Sequence, residues 1–184
     1  YQAVFPRDKV CGDGVSGQGL AILNQLGLSP WTEQFLQPKE LRLPPPDGRP
    51  LDGQAAHGDT TCYGRLIPRK LLDERLVRIA VESGARLLEG TRVTAIESSN
   101  DGIRLLARGN ELKARLAILC DGSHAPVTRR LGLTNGLPEL FAARQYLDGD
   151  TGPADRMEIY FSRPLLPHYG WLFPLGQGRV NAGI

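Results

Sequence analysis

Residues 5–14 of the chain read Phe5-Pro6-Arg7-Asp8-Lys9-Val10-Cys11-Gly12-Asp13-Gly14. With the residues that follow, they contain Gly12-Asp13-Gly14-Val15-Ser16-Gly17, the G-x-G-x-x-G spelling of a dinucleotide-binding turn. Such a turn directly follows a buried parallel strand, so that its glycines open a helix toward a pyrophosphate. The proline and the charged residues at positions 6–9 do not suit a buried strand. The segment therefore predicts a loop followed by a helix, and we reject a Rossmann-type interpretation of these glycines.

The composition is that of a globular protein of one domain or slightly more. The chain has 184 residues, of which 41% are hydrophobic and 23% are charged, and its formal net charge is +2. Lysines and arginines form no run and are not interleaved with aromatic residues, so nucleic-acid binding is not predicted. The apolar runs are too short to cross a bilayer, and no signal peptide is visible. We expect no transmembrane segment, which leaves room for peripheral contact with a membrane.

The cysteines and histidines give no sign of a metal site or a disulfide. Cys11, Cys62 and Cys120 are far apart and form no C-x-x-C pair, which is typical of reduced thiols in a cytoplasmic protein. The histidines lack the spacing of metal ligands, and no G-x-S-x-G serine is present. The sequence thus predicts no bound metal and gives little support to a hydrolase.

Two helices and one insertion are predicted in the first half of the chain. Residues 16–26 carry an apolar stripe, which a serine at its start can cap and Gly27 can end. Residues 68–83 predict a second helix, with Pro68 near its first turn. Residues 37–63 lie between the two helices and are rich in proline and glycine. They predict a long loop or a set of short edge strands.

From residue 85 onward the periodicity becomes that of strands. Residues 85–88 predict a short strand, and Asn100-Asp101-Gly102 is a strong hairpin signal between two longer ones. The continuous apolar run 116–120 is expected of a parallel strand that is covered on both faces. Asp121-Gly122 and a short helix follow this run, in the arrangement that places ligands at the carboxyl ends of strands. A β pattern returns after Leu140, so the elements together predict a mixed α/β chain.

Four segments, in order along the chain, resemble the geranylgeranyl reductase family of FAD enzymes, which lies within a larger group of flavoprotein reductases, hydroxylases and halogenases. They are Cys11-Gly12-Asp13-Gly14, Pro68-Arg69-Lys70-Leu71-Leu72-Asp73, the run 117–132 around Asp121-Gly122, and Tyr169-Gly170-Trp171-Leu172-Phe173-Pro174. The last segment is similar to the Tyr-x-Trp-x-Phe-Pro strand of prenyl reductases. The order and rough spacing of the four segments are those of the family.

The resemblance implies an α/β fold (α+β overall) with two parts. Residues 1–136 would form a partial FAD/NAD(P)-binding Rossmann-like domain with a β-meander and the insertion 37–63. Residues 137–184 would start an antiparallel substrate-binding sheet. The chain begins without Met and stops inside an alternating apolar segment, so we expect a fragment that lacks both ends.

The sequence also departs from the family pattern. The N-terminal Gly-rich turn of the family, its acidic ribose-binding residue and its later Gly-Asp motif are absent. Asp13 stands where many prenyl reductases have glycine. We therefore expect that this fragment alone does not hold FAD tightly and is inactive.

By the same resemblance, the candidates for contact with FAD are Cys11, Gly12, Gly14, Arg69, Val93 and Asp121. The first three have little side-chain bulk, so a flat ring can lie against the backbone, although an ordinary glycine turn explains them equally well. Arg69 would donate to phosphate or ribitol oxygens at a helix start, or it is a solvated surface residue. Val93 would present backbone groups to the adenine. Asp121 would orient pyrophosphate or ribose, or it caps the helix that follows.

The aromatic residues Tyr169, Trp171 and Phe173 alternate, so within one strand they share a face. This face would line an apolar cavity for an isoprenoid chain, or it forms an ordinary aromatic sheet core. The sequence names no catalytic residue.

The resemblance implies an FAD-dependent oxidoreductase that reduces carbon–carbon double bonds of a prenyl (geranylgeranyl-type) substrate by flavin hydride transfer, with NAD(P)H as a candidate electron donor. Within the same fold, the alternative is a flavin-dependent monooxygenase or halogenase. Outside it, the alternative is a non-catalytic α/β fragment. The expected partner is a small apolar isoprenoid molecule, and the sequence does not specify the oligomeric state.

Overall fold

The computed structural model describes residues 3–46, 48–54, 64–107, 109–135 and 140–184. The chain divides into two compact units. The first unit contains Tyr1–Arg7 and Asp73–Phe141, and the second contains Asp8–Leu72 and Ala142–Ile184. The division into domains 1–136 and 137–184 stays a prediction.

Helices and strands both occur along the described residues, as expected of a mixed α/β chain. In chain order they are β1 (Gly14–Ser16), α1 (Gly17–Gln25), α2 (Ser29–Thr32), β2 (Glu40–Leu43), β3 (Leu51–Gln54), β4 (Gly64–Leu66), α3 (Arg69–Glu82), β5 (Val93–Ser99), β6 (Gly102–Ala107), β7 (Asn110–Ala114), α4 (Pro126–Arg130), β8 (Arg144–Asp148), β9 (Arg156–Tyr160), β10 (Gly170–Gly176) and β11 (Arg179–Gly183).

The second unit is built around a six-stranded sheet with the strand order β3-β2-β9-β10-β11-β8. Neighbouring strands are antiparallel except β2 and β9, which run parallel. The antiparallel sheet predicted after Leu140 is therefore present. Short strands from the insertion 37–63 add to one edge of it, which agrees with one of the two interpretations of that insertion. Residues 47 and 55–63 of the insertion lie outside the described residues.

The glycine-containing segment near the start of the second unit is a loop that leads into a helix, as predicted. No strand covers residues 6–11, and β1 begins only at Gly14, where it pairs antiparallel with β4. The Ser16 hydroxyl accepts a hydrogen bond from the Gly19 amide at 3.2 Å and so caps α1. Gly27 follows the helix with φ +76°, a conformation that favours glycine.

Helix α1 packs against β4 and covers part of the core of the second unit. Leu20, Leu23, Leu66 and Ile67 are all buried there. Burial of one such side chain stabilises the folded state by roughly 1.5–3 kcal/mol. This packing holds α1, and the loop directly before it, in place.

The first unit contains the predicted meander as a separate three-stranded sheet, β5-β6-β7. Asn100 and Asp101 form the turn between β5 and β6, and Gly102 has φ +122°. A Cβ at Gly102 would lie 2.7 Å from the Ala114 carbonyl oxygen, so the adjacent strand also requires glycine there. The hairpin signal is thus confirmed.

Two strand predictions in the first unit are wrong for the described structure. Residues 116–120 and 85–88 are assigned to no strand. The side chains of Leu116 and Ile118 are 84% and 90% exposed, so among the described residues no layer covers their side of this run, as a buried parallel strand would need. The short helix predicted after Asp121-Gly122 is present as α4.

Candidate functional site

The loop at Cys11–Gly14 lies directly against aromatic side chains of β10. A Cβ placed on Gly12 would lie 3.0 Å from Phe173 Cε2 and 3.5 Å from Trp171 Nε1. Any larger residue at position 12 would therefore press on these rings. Asp13, the next residue, has φ +61°, and its carbonyl accepts the Ile67 amide at 2.8 Å. The structure thus brings the predicted glycine segment and the predicted aromatic strand together.

The predicted aromatic residues share one face of the sheet and form a continuous row with Phe161. The ring centroids are 6.0 Å apart for Phe161 and Tyr169, 6.3 Å for Tyr169 and Trp171, and 6.4 Å for Trp171 and Phe173. Tyr169 is 46% exposed, whereas Trp171 and Phe173 are half-buried. We call these four residues the aromatic row.

The carboxylate of Asp13 is buried behind the loop and accepts three hydrogen bonds. One oxygen accepts the Arg69 amide at 3.1 Å. The other accepts the Tyr146 hydroxyl at 2.7 Å and the Asn181 side-chain amide at 2.8 Å. Asp13 is 1% exposed and Asn181 is 0% exposed. Burial of polar groups at this depth requires such partners, because an unpaired buried carboxylate strongly destabilises a fold.

Asn181 ties this carboxylate to both the loop and the aromatic row. Its amide nitrogen also donates to the Cys11 carbonyl at 2.8 Å, and its oxygen accepts the Trp171 indole N–H at 3.0 Å. Gly183 lies against the indole, since a Cβ there would be 2.1 Å from Trp171 Cζ2. The position of the indole is therefore fixed from its edge and from its face.

Arg144 extends the network on the side of Tyr146. Its guanidinium carbon lies 4.0 Å from the centre of the Tyr146 ring, and the guanidinium pairs with Asp8 at 2.6 Å. The hydrogen bond from Arg144 lowers the pKa of Asp8. Burial and the hydrogen bond to Asp13 raise the pKa of Tyr146, so this hydroxyl keeps its proton and acts as a donor.

Sequence reasoning missed the roles of Asp13, Tyr146 and Asn181. Tyr146 lies 133 positions and Asn181 lies 168 positions from Asp13 along the chain, so no local spacing connects them. One signal was available, because asparagine is depleted within strands and Asn181 interrupts an apolar strand pattern.

Arg69 begins α3, as the resemblance predicted for the arginine of this motif. The anion bound by its backbone N–H is the carboxylate of Asp13, so that amide is already taken by the protein. The role of the Arg69 side chain stays a prediction.

Val93 and Asp121 both lie in the first unit. Val93 opens β5 and lines a cleft of about 650 Å³ together with Gly90, Arg92 and Arg130. Asp121 lines a separate depression of about 460 Å³. One Asp121 oxygen accepts the amides of Val127 and Thr128 at 2.9 and 3.1 Å, and the other accepts the Thr128 hydroxyl at 2.6 Å. Asp121 therefore caps α4, which was the structural alternative for this residue.

We expect Asp121→Asn to weaken α4 in a pH-dependent way. The hydrogen bonds from the Thr128 side chain and backbone lower the pKa of Asp121 below its usual 3.8. The stabilisation is therefore fully present above the unfolded pKa and is lost as pH falls through the folded pKa. Thermal melts of the full-length variant should show a deficit at neutral pH that closes below about pH 4. Asp101→Asn, in an exposed turn, is the control. A deficit that persists in acid would contradict the capping role.

The site residues named from the sequence thus fall into two groups. Cys11, Gly12, Gly14, Arg69 and the aromatic residues lie in the second unit, where Gly12 contacts the aromatic row. Val93 and Asp121 lie in the first.

Within the part of the chain that the structure describes, no cluster of side chains has the make-up of a metal site. No helix of the described ranges combines the length and apolar character needed to cross a bilayer.

Sequence comparison identifies reductases as relatives. Menaquinone reductase of Mycobacterium tuberculosis is 35% identical over 192 residues, which cover 99% of this chain and 47% of the relative. Digeranylgeranylglycerophospholipid reductase 1 of Methanosphaera stadtmanae is 27% identical over 184 residues, which cover 96% and 45%. The chain thus spans about half the length of the curated relatives it matches. No protein-family model matches the chain.

The fold is that of flavoproteins. A geranylgeranyl bacteriochlorophyll reductase-like protein from Thermoplasma acidophilum superposes with a TM-score of 0.80 at 23% identity, covering 100% of this chain and 48% of that one. CmlS, a flavin-dependent halogenase, superposes with a TM-score of 0.79 at 22% identity, covering 100% and 36%. The chain therefore has the FAD-binding Rossmann-like fold of the geranylgeranyl reductase-like proteins. Together with the homologous reductases, this fold confirms the resemblance to the geranylgeranyl reductase family.

Proposed function

We propose that this chain is part of a flavin-dependent reductase that binds FAD against the Cys11–Gly14 loop and reduces carbon–carbon double bonds of a prenyl chain. The observation that carries the proposal is the direct contact between Gly12 and the aromatic row. The names of the homologous reductases, which refer to menaquinone and to digeranylgeranyl lipids, support the choice of an isoprenoid substrate.

The loop residues fit a flat, hydrogen-bonding ring. Among the described residues, the amide N–H groups of Cys11 and Gly12 have no hydrogen-bond acceptor, so they are available to oxygen or nitrogen atoms of a ligand. Gly12 is partly exposed, and its missing side chain lets the Phe173 and Trp171 rings lie close to its backbone. When bound, FAD would supply hydride transfer, which the protein's own side chains cannot perform.

The chain itself would position the reactants and exclude water. Strand register places Trp171 opposite Ile159, and Met157 opposite Leu41, on the sheet face that carries the aromatic row. These apolar side chains suit a hydrocarbon chain. The polar side chains on the same face, Asn181 and Tyr146, are already hydrogen-bonded within the network behind the loop. The buried network behind the loop keeps the loop backbone in one position, which favours a reproducible approach of the double bond.

NAD(P)H is the proposed electron donor for the flavin. The proposed partner is a small apolar molecule with an isoprenoid chain, which the protein would reach through peripheral contact with a membrane.

We expect Arg69→Ala in the full-length protein to weaken FAD binding by on the order of 1.5–3 kcal/mol, the usual contribution of hydrogen bonds to charged groups. The measurement is FAD affinity by titration of the flavin-free protein. Lys70→Ala, the next residue in α3 and an exposed one, is the matched control. Equal FAD affinities for the wild type and the Arg69→Ala variant would contradict a role of Arg69 in FAD binding.

A flavin-dependent monooxygenase or halogenase is the second candidate, because a flavin-dependent halogenase has a similar fold, with a TM-score of 0.79. The two activities differ in what oxidises the reduced flavin. A reductase transfers its electrons to the prenyl substrate without oxygen, whereas a monooxygenase or halogenase consumes oxygen in proportion to product. Anaerobic turnover of a prenyl substrate supports the reductase, and strict dependence on oxygen would replace it with the second candidate.

A further inference from the structure

The buried polar residues of the described chain point to one place in the second unit. They are Asp13, Thr32 and Asn181. The hydroxyl of Thr32 donates to the carbonyl of Ser29, one helical turn earlier, and so has a purely local explanation. Asp13 and Asn181 instead bond to each other across the unit, at 2.8 Å.

The Asp13 carboxylate joins three separate elements. Its donors come from the start of α3 (Arg69), from β8 (Tyr146) and from β11 (Asn181). Hydrogen bonds to a charged acceptor are stronger than neutral ones, and their loss inside a protein leaves donors unsatisfied. These bonds also offset the strain of a positive φ at a residue other than glycine.

The side-chain amide of Asn181 has one favourable orientation. Its NH₂ group faces two acceptors, Asp13 and the Cys11 carbonyl, while its oxygen faces the indole N–H of Trp171. A flipped amide would set its oxygen against two acceptors and its NH₂ against a donor. Because Asn181 bonds to Asp13, to the loop and to the indole at once, a change in the position of the Asp13 carboxylate would also move the loop and the indole.

We propose that Asp13 is a positioning residue, whose buried carboxylate, itself held by Tyr146, keeps the Cys11–Gly12 backbone and the Trp171 indole at a fixed separation through Asn181. The inference rests on the proposed function for its effect on turnover. Its effect on the geometry of the loop does not depend on any ligand. Asp13 does not contact the proposed substrate or flavin, and it acts on them only through Cys11, Gly12 and Trp171.

The first test measures how exposed the Cys11–Gly14 loop is in the absence of flavin. In the flavin-free, full-length protein, the alkylation rate of Cys11 by iodoacetamide is followed by mass spectrometry, which separates it from Cys62 and Cys120. We expect Asp13→Asn to increase the rate by about tenfold or more, because losing charge-assisted bonds shifts local opening by at least this factor. An unchanged rate in a folded Asp13→Asn variant would overturn the proposal.

The second test separates positioning from general stability. Asp13→Asn should lower kcat for the prenyl substrate and leave KM and flavin content nearly unchanged, since a misplaced ring slows the reaction more than it weakens binding. Thr32→Val removes a buried hydrogen bond in the same unit without touching the loop. Equal effects of Thr32→Val on kcat and Cys11 alkylation would show that Asp13 is only structural.

A milder variant keeps the proposal testable if Asp13→Asn does not fold. Tyr146→Phe removes one hydroxyl from the carboxylate and keeps the ring beneath Arg144. We expect a smaller change of the same sign in Cys11 alkylation and in kcat. Wild-type values for both would overturn the proposal. Failure of the proposed function would look different, because the protein would bind no flavin while the alkylation result would still stand.

Discussion

Replacing Trp171 by alanine in the full-length protein is expected to reduce turnover of a prenyl substrate by on the order of 100-fold, with little change in flavin content. The indole is held at its edge by Asn181 and on its face by Gly183. It lies at the middle of the aromatic row, next to Gly12. Its removal would open the wall against which we place the substrate.

The alternative for Trp171 is an ordinary core residue, and stability distinguishes the two. Truncation of a fully buried tryptophan costs roughly 3–5 kcal/mol, and the half-buried Trp171 should cost less. Trp31→Ala is the matched control, because Trp31 is also half-buried and packs edge-on against Phe35 at 4.8 Å, within the second unit. If Trp171→Ala loses stability like Trp31→Ala while its folded fraction turns over normally, the cavity interpretation fails.

Gly64→Ala is expected to abolish stable folding of the second unit. A Cβ at this position would lie 1.8 Å from the backbone carbonyl oxygen of Val15, and φ is +127°. Neither strand can move away easily, because β1 and β4 are paired and the Asp13 carbonyl accepts the Ile67 amide just after β4. Strain in φ alone costs about 1–3 kcal/mol, and the backbone overlap adds to it. We expect a total above about 4 kcal/mol, at the extreme of single substitutions.

Gly27→Ala is the control for Gly64→Ala. Gly27 also has a positive φ, +76°, but a Cβ there would meet nothing within 4 Å. Its cost should therefore be about 1–2 kcal/mol, from the backbone conformation alone. Chemical denaturation of both full-length variants measures the difference. A Gly64→Ala variant as stable as Gly27→Ala would contradict the backbone packing described for β1 and β4.

Local chemistry made part of this fold predictable. The serine cap of α1, the glycine that follows it and the turn at Asn100-Asp101-Gly102 each depend on residues within a few positions of one another. The same holds for the shared face of Tyr169, Trp171 and Phe173, which follows from alternation in one strand.

Long-range pairing made the rest unpredictable. The contact of Gly12 with the aromatic row joins residues more than 150 positions apart, and the network around Asp13 has no counterpart in local spacing. For the run 116–120, the local sequence instead predicted a strand that the structure does not assign. Its apolar side chains indicate covering layers, which are not found among the described residues, so a strand assignment from hydrophobicity alone was wrong.

The absorption spectrum of the full-length protein as purified tests the central claim, that this chain belongs to a flavin-dependent reductase, most directly. We expect the visible bands of oxidised flavin, with a flavin released on denaturation that chromatography identifies as FAD. Anaerobic addition of NAD(P)H should bleach these bands, and a prenyl substrate should then restore them without oxygen. A colourless protein that takes up no added FAD would contradict the account.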